Sequence, residues 1–300
     1  MRPSLSLQTA LLVAITAAAA VSPLAGASDQ APPPAVSWTP ERPVQGTLFV
    51  VQIEGSADGA NPTGRFAGEP LHFREGANDR WALAAVPVDA GTMLELTLEI
   101  TRADGTADTI RRAVPIAPGR YAMEHLTVAP QYGAPLSPAL ARRTADEAAR
   151  AYAVARGAHD RPALADPADF VRPRPTRITS GFGNGREFNG RVESRHTGTD
   201  FQGGVGDPVV AAAPGVVRLV DSFYLGGNVV YIDHGGGLSS GYLHLSETRV
   251  AVGDTVQAGQ RIGSVGATGR VTGPHLHWIL RYGEVTVDPQ SVFDLATPTP

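Results

Sequence analysis

The sequence predicts a mainly β protein in three parts: an N-terminal β-sandwich-like domain, a short helical connector and a C-terminal all-β domain. Three observations predict it. Apolar residues recur with period two between Leu48 and Ile116, one stretch from Ser137 to Gly157 has helical spacing with its own start and stop signals, and short apolar runs separated by glycine turns fill the chain from Arg177 onward. With Gly 34 and Pro 25, the composition favours short strands and many turns over long helices. The expected boundaries are 1–27 for a signal peptide, 30–120 for the sandwich-like domain, 121–165 for the connector, 166–295 for the C-terminal domain and 296–300 for a tail.

Composition removes whole classes of function. Cysteine is absent, which excludes disulfides, thiolate metal sites, a cysteine nucleophile and a lipid-modified cysteine. Every basic residue is arginine, and a net charge of −4 provides no footprint for nucleic acid, so no nucleic-acid partner is expected. At the N-terminus, Arg2, the uncharged apolar run Leu11 to Val21 and the small residues Ala25-Gly-Ala27 read as a cleavable secretory signal. The run is short and rich in alanine, whereas a spanning helix needs about 20 strongly apolar residues. The chain is therefore expected to be exported, most simply to a bacterial periplasm.

Taken in order, Ala31-Pro-Pro-Pro34 is an extended lead-in. Leu48 to Ile53 and Trp81 to Val88 are strand candidates. The segment Met93 to Thr101 puts Leu94, Leu96, Leu98 and Ile100 on one face, with Glu95, Thr97 and Glu99 on the other. After the turn signal Ala103-Asp-Gly105, Ile110 to Ile116 returns as the next strand. His72 and His125 stand alone, and this region reads as a spacer, a docking surface or a cover. Ser137 and Pro138 are N-cap and N1 of a helix with an alanine-rich seam, Ala141, Ala145, Ala148, Tyr152 and Ala155, which Gly157 ends. His159 has no ligand-type neighbour but Asp160, and Val171-Arg-Pro-Arg-Pro175 is an extended linker. Beyond it, Val209 to Ala213, Gly215 to Asp221, Asn228 to Asp233, Leu238 to Leu245 and Thr286 to Asp288 are strands of a compact all-β sheet or barrel.

The chemistry concentrates in that last domain. His196 and Asp200, if extended, share a face, and Gly198 between them leaves room for an ion. His275 and His277 share a strand face, spaced so that one holds a metal and the other reaches a water, while Leu276 and Trp278 face a core. Tyr242 and His244 alternate with Leu243 and Leu245, which puts the tyrosine and histidine on one face. His234 lies in Asp233-His-Gly-Gly-Gly237 and reads as a turn residue. Four histidines and one carboxylate with face-sharing spacing are ligand types that a catalytic zinc prefers, and three protein ligands leave a fourth position for water.

The motifs of this domain carry a resemblance. Thr179-Ser-Gly-Phe-Gly183, Arg186-Glu-Phe-Asn-Gly190, His196-Thr-Gly-Thr-Asp200, Gly206-Asp-Pro-Val209, Gly215-Val-Val217, Gly227 to Gly235, Tyr242-Leu-His-Leu245, Gly253-Asp-Thr-Val256, Gly259 to Gly263 and Gly266 to His277 follow one another in an order and spacing that resemble the lysostaphin/LytM-type zinc metallopeptidases, the glycyl-glycine endopeptidase family with the duplicated hybrid motif. The resemblance implies an all-β peptidase domain with a large antiparallel sheet. It implies Zn2+ held by His196, Asp200 and His277, with His244 and His275 as catalytic histidines. Its implied substrates are peptidoglycan stem peptides and cross-bridges, and the export pattern with the acidic charge favours D-alanyl–diaminopimelate links over pentaglycine. Two positions depart from the family: Ile279 stands where Glu is frequent, and Asn189-Gly-Arg191 stands where some members carry a tyrosine near the oxyanion.

The alternative is a catalytically silent relative that binds peptidoglycan or regulates other hydrolases. All five site positions being intact favours the enzyme. A lipoyl- or biotinyl-type carrier, suggested by Val250 to Gly263, is excluded because the chain has no lysine to modify. Other cell-wall proteins are expected partners through the N-terminal domain.

Overall fold

The computed structural model describes residues 34–54, 62–76, 79–101 and 105–297, and the signal peptide, Ala31 to Pro33, Ala103 and Asp104 lie outside the described residues. Residues 34–300 group as one compact unit. Its N-terminal strands are β1 (Val36–Thr39), β2 (Leu48–Glu54), β3 (Thr63–Phe66), β4 (Glu69–Pro70), β5 (Arg74–Glu75), β6 (Asp79–Ala85), β7 (Met93–Thr101) and β8 (Ala107–Pro115). They form two four-stranded sheets, in the orders β1-β2-β6-β5 and β4-β3-β7-β8. The predicted alternation of β7 is what closes this sandwich: Leu96, Leu98 and Ile100 pack against Phe49, Val51 and Ile53 of β2. The other face of β2 and β6, with Leu48, Val50, Trp81 and Leu83, joins a second core that contains Leu238, Leu280 and Tyr282. This sheet is therefore covered on both faces, which explains why Leu48 to Val51 is a continuous apolar run without alternation.

The chain then passes through β9 (Met123–Leu126) into the helix α1 (Pro138–Gly157), whose N-cap Ser137 accepts a hydrogen bond from the Leu140 amide at 3.3 Å. The start is the one the capping signals predict; at the other end Gly157 is still helical, with φ of −64°, and Ala158 is the C-cap, while the buried face shares only Ala155 fully with the predicted seam. Ala141, Ala145 and Ala148 are exposed, and Glu147, Ala151 and Ala155 are buried. Alanine favours helix on every face, so its spacing carries little information about which face packs. Glu147 is held at the contact by Arg143 Nε at 2.7 Å and the Tyr224 amide at 2.9 Å.

The remaining strands are β10 (Ile178–Ser180), β11 (Gly185–Phe188), β12 (Val192–Arg195), β13 (Thr199–Gln202), β14 (Pro208–Val210), β15 (Gly215–Phe223), β16 (Gly227–Gly235), β17 (Leu238–Thr248), β18 (Thr255–Val256), β19 (Arg261–Val265), β20 (His275–Tyr282) and β21 (Val285–Val287). Ten of them form one antiparallel sheet whose main path is β10-β13-β20-β17-β16-β15-β18. One face carries Phe201, Val230, Ile232, Tyr242, Leu276 and Trp278 into the main core. The opposite face, with Val229, Tyr231, Leu243 and Ile279, is partly covered by Ala151 of α1. Ile279 is thus buried beneath the helix, where a carboxylate would be left without water. A smaller three-stranded sheet, β12-β11-β9, pairs β11 in parallel with β9.

Four histidines differ from expectation. His234 is inside β16 and fully buried; the turn begins after it, where Gly235, Gly236 and Gly237 all have positive φ. His234 Nδ1 donates to the Pro214 carbonyl at 2.7 Å, and its Nε2 lies 2.8 Å from Ser240 Oγ. His72 and His159 are partners rather than lone residues: His72 Nε2 lies 2.8 Å from His159 Nδ1, and His159 Nε2 lies 2.9 Å from Glu69 Oε2. His125 pairs with Glu187 at 3.0 Å.

Burial lowers the His234 imidazole from 6.5 to about 4. Between these values the unfolded chain takes a proton that the native state refuses. Stability that is complete above pH 6.5 is therefore lost as pH falls towards 4, by roughly 3 kcal/mol at the acid end. Urea unfolding across that window should show this loss, and His234→Asn should reduce it by roughly that amount.

Candidate metal centre

Strand pairing assembles the centre. β13 and β20 are neighbours in register, with Asp200 opposite His277, and β17 lies on the other side of β20 with Leu243 opposite His277. His196 is not in a strand, contrary to the extended reading of His196 to Asp200. It occupies the connection between β12 and β13, where its amide donates to the Asn184 carbonyl and its carbonyl accepts from the Gly183 amide, both at 2.8 Å. Gly198 does leave the predicted space. A Cβ there would stand 2.3 Å from the Trp278 carbonyl oxygen and 2.9 Å from the His277 ring. Gly198→Ala should cost about 3 kcal/mol through this overpacking and weaken metal binding, as thermal unfolding and zinc titration would show.

Three side chains converge. His196 Nε2 lies 3.0 Å from Asp200 Oδ1, His277 Nδ1 lies 2.7 Å from the same oxygen, and the two ring nitrogens are 2.9 Å apart. All three residues are buried, and they form a group able to hold a metal ion. Burial alone would raise the Asp200 carboxyl, but hydrogen bonds and charge from His196 and His277 hold it well below the usual carboxylate range. Burial lowers His277 to about 4 despite the opposing pull of Asp200, so it is neutral at physiological pH.

The hydrogen bonds behind the rings decide which nitrogen faces inward. His196 Nδ1 donates to the Gly181 carbonyl at 2.6 Å, which leaves Nε2 with its lone pair towards Asp200 and His277. With both rings neutral, the three converging atoms share at most one proton. A cation satisfies all three at once, and one carboxylate with two imidazoles is a donor set suited to zinc. The second carboxylate oxygen, Asp200 Oδ2, is already taken by Arg186 at 2.6 Å. Arg186 is itself held by Glu124 at 3.0 Å. Glu124 would be raised by burial, but hydrogen bonds from Ser180, Asn184 and Arg186 keep it below its ordinary value.

His244 and His275 stand beside this group, their rings 4.9 Å apart, with His244 5.8 Å from His277. His244 Nδ1 donates to the Thr268 carbonyl at 2.9 Å, and His275 Nδ1 donates to the Gly273 carbonyl at 2.8 Å. Both therefore leave Nε2 unprotonated when neutral. Burial, with His275 and His277 alongside, depresses His244 well below the ordinary imidazole value. The route by which His244 reaches the site differs from simple alternation. Asn228 pairs with Leu245 and Val230 with Tyr242, so three steps on β17 oppose two on β16. His244 sits in this bulge with φ of +64°, a left-handed conformation unusual outside glycine. The bulge sends Tyr242 and Leu245 to the main core and His244 to the metal side.

Motif spacing gave no role to Arg186, Glu124 or Arg270, although Arg186 and Arg270 lie within the quoted motifs. Glu124 belongs to β9, 62 residues from the arginine it binds, and no local pattern connects them.

Comparison with known proteins places these features. Residues 194–289 match the sequence family described as Peptidase family M23. Peptidoglycan DD-endopeptidase ShyC of Vibrio cholerae is 39% identical over 131 residues, covering 43% of this chain and 29% of that protein. DD-carboxypeptidase/endopeptidase Mpg of Neisseria meningitidis is 42% identical over 125 residues, covering 42% of this chain and 28% of that protein. The chain thus spans less than a third of the length of these relatives. A solved Pseudomonas aeruginosa structure assigned to peptidase M23 superposes with a TM-score of 0.64 at 28% identity, covering 84% of this chain and 95% of that one, so the likeness extends well beyond the C-terminal sheet. The residues that converge as a metal centre all fall inside the matched segment, and the chain carries a peptidase family M23 domain.

Proposed function

We propose that this chain is an exported zinc-dependent endopeptidase that hydrolyses peptide cross-links of bacterial peptidoglycan. The observation that carries the reading is the convergence of His196 Nε2, Asp200 Oδ1 and His277 Nδ1 within 3.0 Å of one another, beside two histidines anchored through Nδ1 to backbone carbonyls. His196, Asp200 and His277 would hold the ion. When bound, zinc supplies Lewis-acid polarisation of the scissile carbonyl and brings the pKa of a water to about 7.

The remaining work falls to the chain. Arg186 and the backbone carbonyl of Gly181 fix the orientation of Asp200 and His196, so the ligand set is preorganised. His244 and His275, anchored through Nδ1, can each accept a proton at Nε2 from the attacking water. Their rings are close enough together for the one that takes this proton to return it to the leaving amine as the peptide bond breaks. The relative named peptidoglycan DD-endopeptidase supports the substrate class. The charged, apolar and small-residue pattern of residues 1–27 supports export.

The test is hydrolysis of purified cross-linked muropeptide dimers. The zinc-loaded chain should convert dimer to monomer, a chelator should stop it and added zinc should restore it. Dimers that stay intact with the zinc-loaded chain would refute the reading.

A further inference from the structure

Arg186, Arg195 and Arg270 line the cavities beside the site; Arg195 is tied to the Gly183 carbonyl at 2.7 Å, and of the other two the described residues neutralise only Arg186. Arg186 is paired with both Glu124 and Asp200. Arg270, in the loop before β20, stacks on Phe188 with its guanidinium carbon 4.0 Å from the ring centroid, and the group has no hydrogen bond or ion pair among the described residues. Its backbone is fixed: the Arg270 amide donates to the Leu225 carbonyl at 2.8 Å, and the preceding Gly269 has φ of +76°.

The side chain lines two cavities over the metal centre. One, of about 290 Å³, also includes Asp200 and His275; the other, of about 150 Å³, includes His196, His244 and His277. Burial, with Arg186 alongside, brings the Arg270 guanidinium down to about 10, which still leaves it cationic at neutral pH. A half-buried cation beside a second cation is unfavourable unless an anion joins it. Stacking on Phe188 occupies one face of the guanidinium and leaves its edge donors for a planar, two-oxygen acceptor.

Resting on the peptidase reading, we propose that Arg270 is a substrate-specificity residue that binds a free carboxylate on the amino acid next to the scissile amide. A D-alanyl link to the D-centre of diaminopimelate has this chemistry, because the leaving amine belongs to a residue with an unmodified α-carboxylate. A polyglycine bridge lacks it, because the corresponding carboxyl is already in the next peptide bond. Arg270 therefore selects the first kind of cross-link over the second.

The test compares an N-acyl-D-alanyl-D-amino acid that has a free α-carboxylate with the same peptide as its carboxamide, using the zinc-loaded full chain. The wild type should prefer the carboxylate by about 30-fold in kcat/KM, the range of a charge-assisted bidentate contact. Arg270→Gln should bring that ratio to near one, and Arg270→Lys should keep an intermediate preference of about 5-fold. Competition by the two peptides for a bound product analogue should show the same ordering in Kd. Because each ratio is internal to one protein, a change in folded fraction cancels. A wild type that treats the two peptides alike, or an Arg270→Gln protein that keeps the preference, overturns the assignment and leaves the peptidase reading standing. A wild type that cleaves neither peptide nor a cross-linked muropeptide overturns both.

Discussion

Asp200→Ala is expected to remove metal and activity together. Asp200 is the one anionic donor of the group, and its Oδ1 is the atom on which both imidazoles converge. Removing it also leaves the Arg186 guanidinium pointing at two histidines without the carboxylate that separates them. Zinc affinity should fall at least about 100-fold, the share of one ligand in a binding free energy of roughly 10–16 kcal/mol. Hydrolysis should fall by about 10³-fold or more at zinc concentrations that saturate the wild type, since the Lewis acid and the activated water are lost with the metal. Metal content by mass spectrometry and dimer hydrolysis on the same sample check both halves. An Asp200→Ala protein that keeps stoichiometric zinc would show that the carboxylate is not a ligand.

His244→Asn should separate catalysis from metal binding. Asparagine tolerates the left-handed conformation that His244 adopts at +64°, so the bulge in β17 should survive the change. The side chain would no longer offer an imidazole Nε2 to the water, and hydrolysis should fall by about 10²–10⁴-fold, the range of a lost general acid–base group. Zinc content and unfolding temperature should stay near wild type, because His244 is adjacent to the ligand group and not part of it. Loss of zinc in this variant would instead mark His244 as a ligand.

How much of this was legible in the sequence depended on whether the information was local. The period-two pattern of Met93 to Thr101 and the capping signal at Ser137 and Pro138 specify β7 and the start of α1, because alternation and capping are properties of a few adjacent residues. The pair His275 and His277 was readable for the same reason: a regular strand with Leu276 and Trp278 buried behind it. His244 was not readable from alternation. A bulge is set by the register between β16 and β17, and the residue that adopts positive φ here is not the glycine that would have signalled it. Of the alanine seam of α1 only its C-terminal end, at Ala155, is buried, because alanine spacing does not distinguish packing from propensity. Contacts such as Arg186 with Glu124, or His72 with His159, join segments far apart in the chain, and only the folded arrangement brings them together.

The most direct test of the account is a zinc titration of the metal-free chain that follows bound zinc and muropeptide-dimer hydrolysis in the same samples. Both should rise together and saturate at one zinc per chain, with His277→Ala failing in both. Hydrolysis that proceeds without zinc, or zinc that saturates the site while every cross-link stays intact, would contradict it.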